Sequence, residues 1–261
     1  MDIRKQKEKE YHNLKRDGIL KTSEYSDYIS SQRKWYSIVR ASKNCREEWL
    51  KINCKGKKVL DYGCGNGEVS IKILGMGAAE VAGIDISEKS IELARIEAGK
   101  KGLDNLATFL EMDAENMRFE SNSFDIVHIT GVLHHLDLKR AYSEIARVLK
   151  PDGQAICAEP LIHNLLIQFY RKKTLHLRTK WEAEHILHKK DIELASHYFQ
   201  NIKILGFFHL FSIAAVPFRY LPIFPFILSI LEIFDRILLK LPILKWQAWQ
   251  IVFALSMPQK K

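Results

Sequence analysis

From residue 57 onward, short apolar runs alternate with longer stretches of helical periodicity, and the two kinds pair off in order along the chain. "KVLDYG", "EVAGIDIS", "ATFLEMD", "FDIVHIT" and "GQAICAEP" have the apolar, β-branched texture of buried strands. Between them, "GEVSIKILGMG", "EKSIELARIEAGKKG" and "LKRAYSEIARVLKPDG" carry a helical stripe and stop at Gly or Pro-Asp-Gly. This alternation predicts βαβ crossovers, hence a mainly parallel sheet with helices on both faces. Residues 1–56 show helical spacing at Trp35, Ile38 and Val39 and again at Trp49, Leu50 and Ile52, with no strand pattern; they read as an N-terminal helical cap on a main domain spanning 57–261.

After Glu159 the pattern loosens into mixed helix and loop, rich in basic residues and histidines, over 159–200. Two late strands, "NIKILGFFHLF" and "WQIVFALSM", flank a hydrophobic, helical insertion over 212–248. Arg219, Glu232, Asp235, Arg236 and Lys240 interrupt its apolar residues, and Pro217, Pro222, Pro225 and Pro242 break it. The uncharged stretches 206–218 and 220–231 are too short for a spanning helix of about 20 residues. Three readings remain for the insertion: a lid packed on the core, a wall for a hydrophobic acceptor, or a foot lying in a membrane surface through 217–245.

Charge sharpens the division of the chain. Residues 1–56 carry 14 Lys+Arg against 8 Asp+Glu, residues 57–158 carry 12 against 16, and residues 159–261 carry 14 against 7. An acidic centre between basic flanks suits a phosphorylated or anionic partner, whether nucleic acid, lipid or small molecule. The four cysteines form no CxxC pair and no Cys/His cluster, so neither zinc nor a disulfide framework is expected. The polar start, "MDIRKQKEKEYHNLKR", lacks the apolar centre of a secretory signal, and reduced thiols fit a cytoplasmic protein.

The chemistry gathers at "LDYGCGNGEVS". Gly63, Gly65 and Gly67 follow a strand and open a helix, which lets the chain turn sharply and brings backbone N–H groups close to a ligand. The spacing is shorter than the G-x-G-x-x-G of dinucleotide folds and lacks the Lys-Ser/Thr of a P-loop. Three acids stand at successive strand ends. Asp61 could receive a cationic amine, Asp85 the hydroxyls of a ribose, and Asp113 the exocyclic amine of an adenine. Carboxylates around a glycine turn suit a positive, phosphate-free ligand and repel a dinucleotide.

"VLDYGCGNG", "GIDIS", "MDAENMRFESNSFDIV" and "VLHHLDLKRAYSEIARVLKPDG" resemble, in order, the motifs of class I S-adenosylmethionine-dependent methyltransferases, the group that includes the ubiquinone/menaquinone-type enzymes. The resemblance covers residues 57–158. It implies a Rossmann-like, seven-stranded mixed sheet whose last strand runs antiparallel, and S-adenosylmethionine as cofactor. It further implies a cofactor set of Asp61, Tyr62, Gly63, Gly65 and Gly67 at the first strand, Asp85 and Ile86 at the ribose, Asp113 and Ala114 at the adenine, and Thr130 facing the amino-acid part.

A sulfonium methyl is already electrophilic, so alignment and water exclusion carry most of the work, and a base is needed only for a hydroxyl or a weakly acidic carbon. His134 and His135, after the fourth strand, are the base candidates; the alternative is that they shape the loop beneath the ligand. Glu159, His163, Tyr170, Arg178, Glu184 and His185 are the candidate acceptor contacts. No Asn-Pro-Pro-Tyr follows the fourth strand and no Pro-Cys dipeptide is present, which disfavours nucleic-acid methylation. The expected function is methyl transfer to oxygen or carbon of a small hydrophobic or lipid-linked acceptor. The rivals are an RNA methyltransferase using the basic flanks and a non-catalytic, cofactor-binding membrane module.

Overall fold

The computed structural model describes residues 2–16, 30, 31, 33–175 and 179–260. Seven strands form one sheet: β1 (Lys58–Tyr62), β2 (Glu80–Asp85), β3 (Ala107–Glu111), β4 (Phe124–Thr130), β5 (Leu149–Pro160), β6 (Phe199–Phe208) and β7 (Gln250–Pro258). Their order is β3-β2-β1-β4-β5-β7-β6. β1 to β5 pair in parallel, whereas β7 runs antiparallel to both β5 and β6, as the motif order implied. Strand order reverses between β1 and β4, and ligands in open α/β sheets bind beyond the carboxyl ends at that point.

The helices are α1 (Ile3–Arg16), α2 (Arg40–Asn53), α3 (Glu68–Gly75), α4 (Glu88–Lys100), α5 (Leu138–Val148), α6 (Leu165–Lys173), α7 (Lys180–Glu184), α8 (Lys189–Glu193) and α9 (Phe224–Leu238). Local chemistry starts them. Ser87 accepts the Ser90 N–H at the head of α4, and the Asp137 carboxylate accepts those of Lys139 and Arg140 at the head of α5. Alternation along each strand then sends side chains to two apolar layers. Leu60, Tyr62, Val127 and Ile129 pack with Tyr142 and Ile145 of α5, while Val59 and Ile126 pack with Leu50 of α2, Ile73 of α3 and Ala94 of α4. Each of the Val, Leu and Ile side chains among them, once fully buried, stabilises by about 1.5–3 kcal/mol.

The insertion is helical, and it divides. One face of α9 (Leu228, with Phe224, Ile227 and Leu231 partly buried) packs with Ile38, Ile213 and Trp249 in a third cluster. Two of the interrupting charges are explained by this docking. The buried Asp235 carboxylate accepts the N–H groups of Leu210, Phe211 and Ser212 at 3.2, 2.6 and 3.2 Å, and Glu232 pairs with Arg40 of α2. The opposite face leaves Phe226, Ile230, Ile233, Phe234 and Ile237 exposed, next to Tyr220, Leu221, Leu241 and Ile243. Among the described residues, none of 212–248 lines the large cavity described below. Among the described residues, no helix is long and apolar enough to cross a membrane.

Candidate active site

The glycine turn sits where β1 meets α3. Gly63, Gly65 and Gly67 have φ of 77°, 53° and 76°, the left-handed region that glycine enters without strain. The N–H groups of Gly63 and Cys64 donate to the Ile84 carbonyl at 2.9 and 2.8 Å, tying the turn to β2. A Cβ on Gly63 would stand 2.4 Å from a Val132 methyl. Asp85 closes β2 with one oxygen on the Gly65 N–H at 3.0 Å and the other on the Ser87 N–H at 2.8 Å. Burial raises its pKa against those hydrogen bonds.

Beside this turn lies a cavity of about 180 Å³. Gly63, Gly65, Asp85, Ile86, Asp113, Ala114 and Thr130 line it, which brings together seven of the ten cofactor residues read from sequence. The other three stand elsewhere. Tyr62 is fully buried and its Oη donates to the Ala114 carbonyl at 2.7 Å. Gly67 packs on Ala94 and Phe109, leaving no room for a Cβ. Asp61 points the other way along its strand, toward α3, where Ser70 Oγ donates to it at 2.5 Å and His128 Nδ1 stands 2.8 Å away.

Asp61 begins a buried polar chain. Its carboxylate takes the Nδ1–H of His128, which leaves Nε2 to accept the Thr130 hydroxyl at 2.9 Å. Thr130 Oγ1 in turn accepts a 2.9 Å hydrogen bond from Arg46 Nη1 of α2. Arg46 is buried, its Nε meets no partner, and burial lowers its pKa. Among the described residues no carboxylate pairs with it. A buried guanidinium in that state is suited to an anionic ligand.

The roof of the small cavity is α1. Lys5 Nζ reaches Asp113 at 2.6 Å and Glu115 at 3.0 Å, Arg4 pairs with the fully buried Glu115 side chain, and Lys9 pairs with Glu111. Asn13 accepts the Ser87 hydroxyl at 2.8 Å. Lys5, Arg4 and Arg16 all line the cavity, a contribution that periodicity alone does not reveal.

A second cavity of about 930 Å³ adjoins the first, and His12, Thr130, Gly131 and His135 line both. Its walls mix rings (Trp35, Tyr170, Trp249) with bases (Arg46, Arg171). His134 lines only this larger space, and His135 lines both. Each histidine has its own carboxylate. His134 Nδ1 lies 2.8 Å from Glu159 and His135 Nδ1 lies 3.1 Å from Glu8. Burial and the neighbouring His135 push the His134 pKa down, in excess of what Glu159 restores. Burial also works against charge on His135, but Glu8, Glu182 and Glu159 outweigh it and raise its pKa.

The acceptor residues read from sequence scatter. Tyr170 lines the large cavity, 4.8 Å from the Trp35 ring. Glu159 does not; it is buried and accepts the N–H groups of Val132 and Leu133 at 2.8 and 3.0 Å, bracing the turn that carries His134. His163 packs against His188, His185 stacks on Trp181 at 3.6 Å, and Glu184 is exposed on α7, all three outside the cavity lining. Arg178 lies outside the described residues.

A family model described as a methyltransferase domain matches residues 53–203. The chain belongs to this methyltransferase family. Among curated relatives, a sterol 24-C-methyltransferase of Gibberella zeae is 43% identical over 99 residues, 38% of this chain and 26% of that protein. The 27-O-demethylrifamycin SV methyltransferase of Amycolatopsis mediterranei is 37% identical over 108 residues, 41% of this chain and 40% of that one. The chain thus aligns with less than half the length of these relatives. A geranyl diphosphate C-methyltransferase from Streptomyces coelicolor shares the fold with a TM-score of 0.59 at 13% identity, covering 90% of this chain and 86% of that chain. The PH0226 protein of Pyrococcus horikoshii does so with a TM-score of 0.55 at 22% identity, over 84% and 91%.

The small cavity suits the family's cofactor, S-adenosylmethionine. Bare backbone at Gly63 and Gly65 admits close approach, and Asp85 retains lone pairs for two ribose hydroxyls. Ile86, Met112, Ala114 and Leu136 offer apolar contact for a base, with Asp113 at its edge.

Proposed function

We propose that this protein transfers the methyl group of S-adenosylmethionine to oxygen or carbon of a small acceptor with a hydrophobic or lipid-like body. The observation that carries the reading is the seam between the two cavities, where Thr130, Gly131 and His135 face both. Bound there, the sulfonium supplies an electrophilic methyl group. The chain's part is alignment: the glycine turn, Asp85 and Arg46 hold one reactant, the aromatic walls and Arg171 of the large cavity hold the other, and α1 excludes water from above.

His135 at the seam and His134 in the adjoining large cavity are the candidates to take a proton from an acceptor hydroxyl or an activated C–H. His134, held uncharged by burial and oriented by Glu159, is the better acceptor of a proton near neutral pH. Arg46 supports the reading from the other side, as the group that fits the carboxylate of the cofactor's methionine part. Tyr170, Trp35 and Trp249 suit an apolar acceptor body.

The exposed face of α9 supports a foot on a lipid surface, close to the source of such an acceptor. Phe226 is 65%, Tyr220 78% and Ile243 87% exposed, and Arg219, Arg236, Lys240 and Lys245 lie among them.

Incubation with methyl-labelled cofactor and a cell extract divided into lipid, small-molecule and RNA fractions tests the proposal. Label is expected in the lipid or small-molecule fraction. Label confined to RNA would overturn the acceptor class, and failure to bind the cofactor in calorimetry would overturn the reading altogether.

A further inference from the structure

We propose that Glu8, His12 and His135 bind a single divalent transition-metal ion at the seam of the two cavities. Glu8 and His12 are four residues apart on α1, so they share one face of the helix. His135 comes from the turn after β4 and meets them across the interior. Glu8 Oε2 stands 3.1 Å from His135 Nδ1 and 3.7 Å from His12 Nε2, and one donor atom from each residue lies within 4.8 Å of the others. A tetrahedral ion with bonds of about 2.0–2.2 Å spaces its ligands roughly 3.3–3.6 Å apart. Two of the three edges are near that spacing, and the third is no longer than 4.8 Å.

The surroundings are those of an oriented ligand set. The Thr179 hydroxyl donates to the second oxygen of Glu8, which fixes the carboxylate. His135 packs on His134 with ring centroids 4.2 Å apart, and Glu159 holds His134 in turn. Glu8 is 6% exposed, so its negative charge is stabilised by a cation beside it. Two imidazoles and one carboxylate favour ions of the zinc, cobalt, manganese or iron(II) class over magnesium or calcium.

Three protein ligands leave a position open, the arrangement of catalytic rather than structural metal sites. His12 and His135 line both cavities, so that position faces the space where the two reactants meet. An oxygen donor on the acceptor, such as a hydroxyl, carboxylate or phosphate, is the chemistry it would take. The inference goes beyond the proposed function and holds whatever the acceptor is; with the ion bound, His135 has no free nitrogen lone pair and the base is His134 alone.

The test uses the full chain, stripped with EDTA and titrated with Co²⁺, whose visible absorption reports its coordination, and with Zn²⁺ by calorimetry. One equivalent of Co²⁺ is expected to give the intense bands of a four- or five-coordinate ion and to be displaced by one equivalent of Zn²⁺. Loss of a ligand exceeds the 10–100-fold that loss of an outer partner costs, so His12→Gln and Glu8→Gln should weaken binding at least about 100-fold. His197→Gln, on the surface, should leave it unchanged. Zn²⁺ should also raise the Tm of the wild type, a readout that needs no variant to fold. No saturable Co²⁺ uptake by the wild type, or uptake that survives both ligand substitutions, overturns the proposal. Cofactor affinity of the metal-free protein is read separately and bears on the proposed function alone.

Discussion

His135 and Glu8 lie 127 positions apart in the chain, yet His135 Nδ1 stands 3.1 Å from Glu8 Oε2. This contact pins α1 over the small cavity and gives one of the two adjacent histidines a partner that its own neighbourhood does not contain. His134 takes its carboxylate from β5 instead, so two side chains next to each other in sequence acquire opposite pKa shifts.

Arg46 tests the proposed contact with the cofactor's carboxylate. A hydrogen-bonded charge pair contributes about 1.5–3 kcal/mol, so Arg46→Ala should raise the Kd for S-adenosylmethionine about 10- to 100-fold, with a smaller effect on a carboxyl-free analogue. Calorimetry with both compounds checks this. Equal losses for the two would remove Arg46 from carboxylate recognition.

Gly63→Ala places a methyl 2.4 Å from Val132 at a φ of 77°. The left-handed backbone alone costs roughly 1–2 kcal/mol for a non-glycine residue, and the clash adds to it. The variant should melt lower and lose cofactor affinity. Adding Val132→Ala should restore part of the stability, since it relieves the clash but not the backbone. Additive losses in a thermal-melt double-mutant cycle would show that the two do not touch.

His209 makes stability pH-dependent. It is buried, with Nε2 2.9 Å from Ser42 Oγ, and burial lowers its pKa to about 3. The unfolded histidine, near 6.5, binds a proton that the folded one refuses, so its contribution is fully present above about pH 6.5 and is lost as pH falls toward 3. At 1.36 kcal/mol per unit, the loss at pH 5 is about 2 kcal/mol. Asparagine tolerates the φ of 67° at this position. His209→Asn should therefore flatten the fall in unfolding free energy between pH 7 and pH 5; an unchanged slope would place the titration elsewhere.

The exposed face of α9 predicts attachment to vesicles. The wild type should co-sediment with liposomes containing anionic lipid, and less so at high salt, because the nearby Arg and Lys act through screened attraction. Burying each large apolar side chain is worth about 1.5–3 kcal/mol, so the triple variant Phe226→Ser, Ile230→Ser, Ile237→Ser should cut partitioning by more than about tenfold with little change in Tm. Wild-type protein that stays in the supernatant at low salt would refute the foot.

Much of this protein was legible from one dimension. The strands and helices of 57–158 follow periodicity and caps, and the meeting of Gly63, Gly65, Asp85 and Asp113 around the small cavity follows from their place at the ends of adjacent parallel strands. Asp61 looked equivalent to Asp85, but strand alternation turns it toward α3, where Ser70 and His128 absorb both of its oxygens. Glu159 looked like an acceptor contact for the same reason, and is consumed by the turn beside it.

What the amino-acid order determined by itself is the local part: which segments are strands, where the backbone bends with positive φ, and which acids stand near that bend, because propensity, capping and glycine's freedom act over a few residues. Only the tertiary structure decided that α1 would roof the small cavity, that Arg46 would reach Thr130, and that Glu8, His12 and His135 would converge. These depend on how helices dock on a sheet, and the docking is set by apolar burial, which has no direction and leaves no local signature for the polar groups it brings together.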